Sequence, residues 1–220
     1  MRLTRPRFLG CIKKMYNPYI KRALDFCGAL FLTVLLCPVM LFIACTILIF
    51  MGRPVVFRQK RIGMGEKPFY LYKFRTMLNT PPIGENAPND EQRLTALGRI
   101  LRKSSLDELL QLFNVLKGDM SFVGPRPLLP RYLPYYTNAE RLRHSVKSGI
   151  TGLAQTRGRN NLSWDEKLAL DVEYAKNVSF LNDLKIAAKT VFLVLQCKNV
   201  KTCQAEEYLD ARRKKQNRQS

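Results

Sequence analysis

The chain has 220 residues and a mass of 25.4 kDa, which suits one compact domain plus a membrane segment. A hydrophobic content of 46% excludes a disordered chain, and a mean hydropathy of −0.17 excludes a polytopic channel or carrier. Lys and Arg number 37 against 17 Asp and Glu, so a formal charge of +20 calls for anionic company: nucleic acid, an anionic leaflet or phosphorylated substrates.

Residues 1–22 form a basic lead, with Arg2, Arg5, Arg7, Lys13, Lys14, Lys21 and Arg22 and no acid. From Phe26 to Met51 no residue is charged. As continuous helix this run reaches roughly 39 Å, against a hydrocarbon core of about 30 Å. Pro38 sits near its centre, removes one backbone donor and strands the carbonyl of Val34, at a cost of about 3 kcal/mol in a straight helix. The arms Phe26–Cys37 and Pro38–Met51 each reach only ~20 Å, past the midplane but not across. Arg53, Arg58, Lys60, Arg61 and Lys67 follow, opposed by Glu66 alone, so both flanks read as cytoplasmic by the positive-inside rule. A hairpin that bends at Pro38 and returns to its own face is evenly matched here against a Pro-kinked single span. A cleaved signal peptide is not expected, because the apolar run is too long and no small-x-small site follows it.

The remainder predicts a mainly α chain with a few short strands. Strands are expected at Val55-Val56-Phe57 and Phe69-Tyr70-Leu71-Tyr72, with Gly63-Met64-Gly65 as a turn between them. Residues 79–92 read as a loop, and helices are expected over Arg93–Leu101 and Ser105–Leu116. Gly118–Pro134 reads as rigid irregular backbone, Pro134–Lys147 as helix, Gly149–Asn161 as a Gly-rich polar loop and Ser163–Lys176 as helix. Ser179–Cys197 is apolar but interrupted by Asp183, Lys185 and Lys189, which makes it a core or interfacial helix rather than a span. Residues 199–220 form a polar, basic tail expected to fray. Six cysteines (11, 27, 37, 45, 197 and 203) make no CxxC pair, and the three in the apolar stretch read as small buried hydrophobes. His144, the one histidine, reads as an exposed helix residue.

Several segments have the chemistry to hold phosphate. Ser105-x-x-Glu108 predicts a capping box, which puts Asp107 and Glu108 in the first turn of a helix. The plainer reading is that these acids complement the helix dipole. The functional reading uses the same field: N–H groups there hold phosphate oxygens and keep Asp107 ionised, a nucleophile for phosphorus with Arg102 nearby. In Gly124-Pro125-Arg126-Pro127 two prolines fix the backbone around an arginine suited to a bidentate grip on phosphate, or around a merely solvated one. Lys73-Phe74-Arg75-Thr76 and the stretch holding Gln155 and Arg159 offer further phosphate or base contacts.

The ordered set Lys-Phe-Arg-Thr-Met (73–77), Ser-Leu-Asp-Glu-Leu (105–109), Gln-Leu-Phe-Asn-Val-Leu-Lys-Gly-Asp-Met-Ser (111–121), Gly-Pro-Arg-Pro (124–127) and Gly-Ile-Thr-Gly-Leu-Ala-Gln (149–155) resembles the bacterial sugar transferase family. The likeness runs from about Lys21 to Cys197, and the chain's size resembles the small monotopic phosphoglycosyl transferases. The resemblance implies a cytoplasmic catalytic domain (53–198) with interfacial amphipathic helices, preceded by a re-entrant membrane helix (23–52) broken at Cys37-Pro38. It implies Mg²⁺-dependent transfer of a sugar-1-phosphate from a UDP-sugar to polyprenyl (undecaprenyl) phosphate, as the first membrane step of glycoconjugate synthesis. The place implied is the cytoplasmic face of the bacterial inner membrane, where anionic lipids meet the basic flanks. By the same resemblance Asp107 is the nucleophile, forming a phosphosugar-aspartate, and Glu108 its partner in binding Mg²⁺ or handling protons. Arg102 and Arg126 match phosphate-holding positions.

Cys37 stands where the family usually has Ser, and Ser148 and Thr156-Arg157 also depart from its common text. By analogy the small form implies an N-acetylated donor. The resemblance leaves a homo-oligomer open. A membrane-tethered nucleic-acid-binding protein is the competing class, supported by the charge and by aromatics such as Tyr70 and Tyr72. Against it, the cations cluster beside the apolar run and no nucleic-acid-binding motif is present, so nucleic acid is not an expected partner.

Overall fold

The structure, a computed structural model, describes residues 19–78, 90–158, 162–196 and 209–219. Helix α1, Lys21–Met51, runs 31 residues, about 46 Å, and passes through Pro38 as one element rather than two separate arms. The proline ring fixes a φ that a helix accepts, and only one backbone bond is lost. One stripe of α1 packs on the rest of the protein: Lys21, Asp25, Ala29, Met40, Ile43 and Ile47 are buried, at helical spacing. Both ends are tied down. Lys21 pairs with Asp183, Arg22 donates to the carbonyls of Val115 (2.6 Å) and Leu116 (2.8 Å), and Asp25 accepts from Phe122 N. At the far end the guanidinium of Arg75 takes the carbonyls of Met51, Gly52 and Arg53. The opposite face is apolar and exposed, with Phe42 at 73% and Ile49 at 76%. Cys27, Cys37 and Cys45 lie exposed along α1 rather than buried as expected.

Strands β1 (Val56–Ile62) and β2 (Pro68–Phe74) form an antiparallel hairpin, in register from Val56↔Phe74 to Ile62↔Pro68. Its turn places Gly65 at φ +64°, a conformation glycine adopts freely. Helix α2 is Ala96–Lys103, later than expected, because Leu94 first bridges Met77 and the Thr95 hydroxyl then caps Gly98 N at 2.9 Å. Gly98 lets that helix lie directly on the strand end, since a Cβ would meet Thr76 O at 1.9 Å.

The helix expected over Ser105–Leu116 is divided. Leu106–Glu108 is a 3₁₀ turn and helix α3 is Gln111–Lys117. Ser105 is left-handed at φ +59° and caps nothing, so the capping box is absent. Two segments expected to be irregular contain a parallel pair, β3 (Met120–Val123) and β4 (Ser148–Thr151), followed by the short helix α4, Leu153–Arg157. Glycine makes that pairing possible: a Cβ on Gly149 would lie 2.1 Å from Gly124 N. The helix expected over Pro134–Lys147 is broken into a 3₁₀ segment Pro130–Tyr135, a single α-helical turn Asn138–Arg141 and a second 3₁₀ segment Leu142–Ser145. Pro134 and the Thr137–Glu140 capping box restart the chain there.

Helices α5 (Trp164–Lys176) and α6 (Phe180–Leu195) form where expected, capped by Ser163 and Ser179. Helix α6 exposes Phe180, Leu181, Leu184, Val191 and Phe192. The tail is more ordered than expected: α7, Leu209–Gln219, buries Leu209 among Tyr132, Tyr136 and Leu168. Arg212 and Arg213 there pair with Asp165, and Arg213 also with Glu140. The expected loop over 79–92 lies mostly outside the described residues, as do Cys11, Cys197 and Cys203.

His144 is the clearest correction to the sequence reading. It is 5% exposed, with Nδ1 3.2 Å from Gly63 O and Nε2 buried without a partner among the described residues. Burial, helped by the charge of Arg143, lowers its pKa to about 4, so the fold holds it neutral. A folded pKa below the unfolded value of about 6.5 gives stability that is whole above pH 6.5 and lost as pH falls toward 4, on the order of 3 kcal/mol. The thermal midpoint in detergent should therefore drop more steeply between pH 6.5 and 4 for the wild type than for His144→Gln. Parallel curves would show that His144 titrates normally.

Candidate active site

Three chain segments converge on one carboxylate. The 3₁₀ turn presents Glu108, β2 presents Lys73, and the Gly124–Pro127 segment after β3 presents Arg126. Glu108 Oε1 accepts from Lys73 Nζ at 2.6 Å and from Arg126 Nη2 at 3.0 Å. Asp107, 7% exposed, lies on the same turn with Oδ2 4.0 Å from Lys73 Nζ. Arg102 leans over from α2 and donates Nε to Thr76 Oγ1 at 3.0 Å. Behind the Pro-Arg-Pro segment, buried Arg143 forks onto Asp171 (3.1 and 2.7 Å) and donates to Arg126 O at 2.7 Å. This fixes the backbone that carries Arg126. The group opens on a cleft of about 1280 Å³, and the same cleft is walled by Leu32 and Leu36 of α1 and Thr190 and Leu193 of α6.

The adjacent carboxylates live in opposite fields. Burial pushes Glu108 up, but Arg126 and Lys73 outweigh it and hold the group at about 2. For Asp107 burial wins: Lys73 lowers its pKa, Glu108 raises it, and the net shift is upward. The helix N-terminus expected at Asp107 is a 3₁₀ turn instead, and desolvation, not a helix field, is the largest influence on its pKa. The donor set fits Mg²⁺, a hard cation usually held by one or two carboxylates together with substrate phosphates. Among the described residues no cluster of three His, Cys, Asp or Glu forms a complete protein cage, which that mode of binding does not require.

Lys73, Arg102, Asp107, Glu108 and Arg126 are therefore brought together as the sequence suggested. Gln155 lines the same cleft, donating Nε2 to Ile150 O at 3.0 Å while its Oε1 is buried without a partner among the described residues. Arg75 is buried and donates Nη1 and Nη2 to the carbonyls at the end of α1, although it also lines the cleft and its Nε has no acceptor among the described residues. Arg159 lies outside the described residues, and Cys37 and Pro38 sit on the exposed side of α1. Arg157, one of the departures from the family text, pairs with Glu173 at 3.0 Å. The sequence reading missed two cleft residues, Arg61 and Trp164. Hairpin register was the available signal for Arg61, since strand residues 57, 59 and 61 share the face of Lys73.

Comparison with known proteins gives a consistent picture. The profile of the family described as "Bacterial sugar transferase" matches residues 16–197. The uncharacterized sugar transferase EpsL of Bacillus subtilis is 52% identical over 176 residues, 80% of this chain and 87% of that one. The UDP-glucose:undecaprenyl-phosphate glucose-1-phosphate transferase of Caulobacter vibrioides is 40% identical over 189 residues, 81% of this chain and 71% of that one. A UDP-N-acetylgalactosamine-undecaprenyl-phosphate N-acetylgalactosaminephosphotransferase of Aeromonas hydrophila is 38% identical over 189 residues, 80% of this chain but 44% of that one. The protein named for an N-acetylated donor is the longer of these last two, so chain length does not sort their donors.

Arg75 offers a direct check on the geometry. Its loss strands three backbone carbonyls, at a cost of roughly 2–4 kcal/mol. Arg75→Gln should lower the thermal midpoint in detergent by on the order of 5–10 °C. Arg75→Lys should recover only part, since an ammonium cannot fork to the same acceptors. An unchanged midpoint would return Arg75 to the anion-binding set.

Proposed function

The chain belongs to the bacterial sugar transferase family, and from that premise we propose that it moves a sugar-1-phosphate from a UDP-sugar to a polyprenyl phosphate and releases UMP. The observation that carries this reading is the carboxylate pair at Asp107 and Glu108, ringed by Lys73, Arg102 and Arg126, in a cleft with an apolar wall. A nucleic-acid-binding function has no counterpart among the relatives.

Asp107 Oδ attacks the β-phosphorus, the bond to the bridging oxygen breaks, and UMP departs. A phosphate oxygen of the lipid then attacks the same phosphorus, the acyl–phosphate bond breaks, and Asp107 is regenerated. Cations at Lys73, Arg102 and Arg126 offset the charge on the phosphoryl group in both steps. Asp107 and Glu108 are the residues that would hold Mg²⁺, which when bound neutralises phosphate charge. Glu108 meanwhile keeps Lys73 and Arg126 in place.

The protein is read as monotopic, on the cytoplasmic face, with α1 re-entrant and bending at Pro38. Support comes from tethering, because Lys21 and Arg22 at one end and Met51 and Gly52 at the other all contact the same folded body. A spanning helix would carry those ends to opposite sides of a core about 30 Å thick. The exposed apolar faces of α1 and α6 are the surfaces offered to lipid, and the basic flanks suit an anionic leaflet.

Purified protein given a UDP-sugar panel without acceptor should release one equivalent of UMP from the true donor and gain the phosphosugar mass on the peptide bearing Asp107. Asp107→Asn should abolish both. UMP release that requires polyprenyl phosphate, with no trappable adduct, would overturn the nucleophile. For topology, single cysteines replacing Tyr19 and Lys60 in a cysteine-free background should both resist an impermeant thiol reagent in intact cells. Labelling of one site alone would establish a span.

A further inference from the structure

Arg61 has no part in the chemistry above, yet it lines the same cleft as Glu108 and Arg126. Its strand pairs Phe57 with Lys73, Gln59 with Leu71 and Arg61 with Phe69, so Lys73, Gln59 and Arg61 share one face of the hairpin. Gln59 Oε1 accepts from Arg61 Nη2 at 2.6 Å and fixes the guanidinium plane. Arg61 Nε is buried with no acceptor among the described residues. An orphaned charged donor on a cleft wall needs an anion from outside the protein.

The charge balance agrees. Lys73, Arg102, Arg126 and Arg61 face two carboxylates, Asp107 and Glu108, and Glu108 is already shared by Lys73 and Arg126. Burial and the neighbouring Arg126 lower Arg61 to about 10, as expected of a cation short of a counter-ion. The cleft wall, which Arg58 and Lys167 also join, therefore carries more positive charge than its carboxylates offset, which suits the diphosphate of a nucleotide sugar. The order of contacts gives direction. Lys73 reaches both carboxylates, Arg126 reaches Glu108 alone, and Arg61 bonds neither. The phosphorus attacked by Asp107 therefore belongs at the Lys73 end, and the departing phosphate at the Arg126–Arg61 end.

Building on the reaction proposed above, we propose that Arg61 is a binding residue for the leaving nucleotide. Its guanidinium, oriented by Gln59, holds a non-bridging oxygen of the UMP phosphate. A phosphate monoester could also come from the lipid acceptor, so the test carries both. Calorimetric titration of the full chain in detergent should show that Arg61→Gln weakens UMP binding about tenfold to a hundredfold. Binding of farnesyl phosphate, a short acceptor analogue, should be unchanged. Arg61→Lys keeps the charge but not the fork, and should weaken UMP severalfold with farnesyl phosphate again unaffected; it decides the matter if the glutamine variant does not fold. Loss confined to farnesyl phosphate would assign Arg61 to the acceptor, and equal loss of both would make it structural. Either result overturns the proposal. If the wild type binds no UMP, the underlying reaction fails; if wild type and both variants bind UMP equally well, only the Arg61 assignment does.

Discussion

A single oxygen organises this protein's chemistry. Glu108 Oε1 receives a lysine from β2 and an arginine from the segment after β3, and so ties together residues 73, 108 and 126. Lys73 and Glu108 lose hydration in a largely buried place while Arg126 stays half exposed, so Lys73 and Glu108 are stable there only as a pair. Removing one cation leaves the other overdrawn by the carboxylate; removing the carboxylate leaves two cations facing each other. The same interaction explains the local backbone. A capping box would turn the Glu108 side chain back to its own helix start, whereas here it reaches outward to two cations and the turn settles as 3₁₀.

The second constraint is that α1 serves two solvents at once. One stripe forms core with Phe74, Leu101 and Leu110 near its end and with Leu112, Val115 and Met120 near its start. The remaining faces are equally apolar but uncovered by protein. Because α1 and α6 both wall the cleft and both expose apolar surface, the carboxylates sit within reach of any chain that follows those surfaces inward. The buried charges at the head of α1 then become intelligible. Lys21, Asp25 and Asp183 fix the helix by ion pairing and hydrogen bonding, which are directional where apolar contact is not.

What was legible in the sequence follows from this division. Helices α5 and α6 were readable because Ser163 and Ser179 mark their starts and their length lets periodicity show. The hairpin was readable from β-rich runs around a glycine turn. Strands β3 and β4 were not, being four residues each and dependent on glycine-to-glycine backbone contact that has no hydropathy signature. Nor could an all-apolar α1 reveal which stripe faces protein, so its cysteines were misplaced. The site motifs brought Lys73, Asp107, Glu108 and Arg126 together, whereas Arg75, one residue past the end of β2, spends its guanidinium on the end of α1, a contact that no motif signals. His144 and Arg61 depended on tertiary neighbours, Gly63 in one case and the cleft in the other.

Asp107 and Glu108 show most directly how the fold assigns roles that sequence leaves equivalent. Both are carboxylates on one short turn, and either could attack phosphorus in principle. Glu108 is held near 2 by two bonded cations, which makes it a permanent anion but a poor nucleophile, its lone pairs already engaged. Asp107 accepts no hydrogen bond from a cation among the described residues, pairs with Lys73 only at 4.0 Å, and has its pKa raised by burial. A more basic carboxylate with free lone pairs, in a site of low polarity, is the better nucleophile. The divergence arises because Lys73 and Arg126 bond Glu108 directly, whereas at Asp107 burial outweighs the more distant pull of Lys73, Arg102 and Arg126. In the proposed reaction the residue that organises the site and the residue that attacks are thus distinct, and their order along the turn follows from which of them Lys73 and Arg126 both bond.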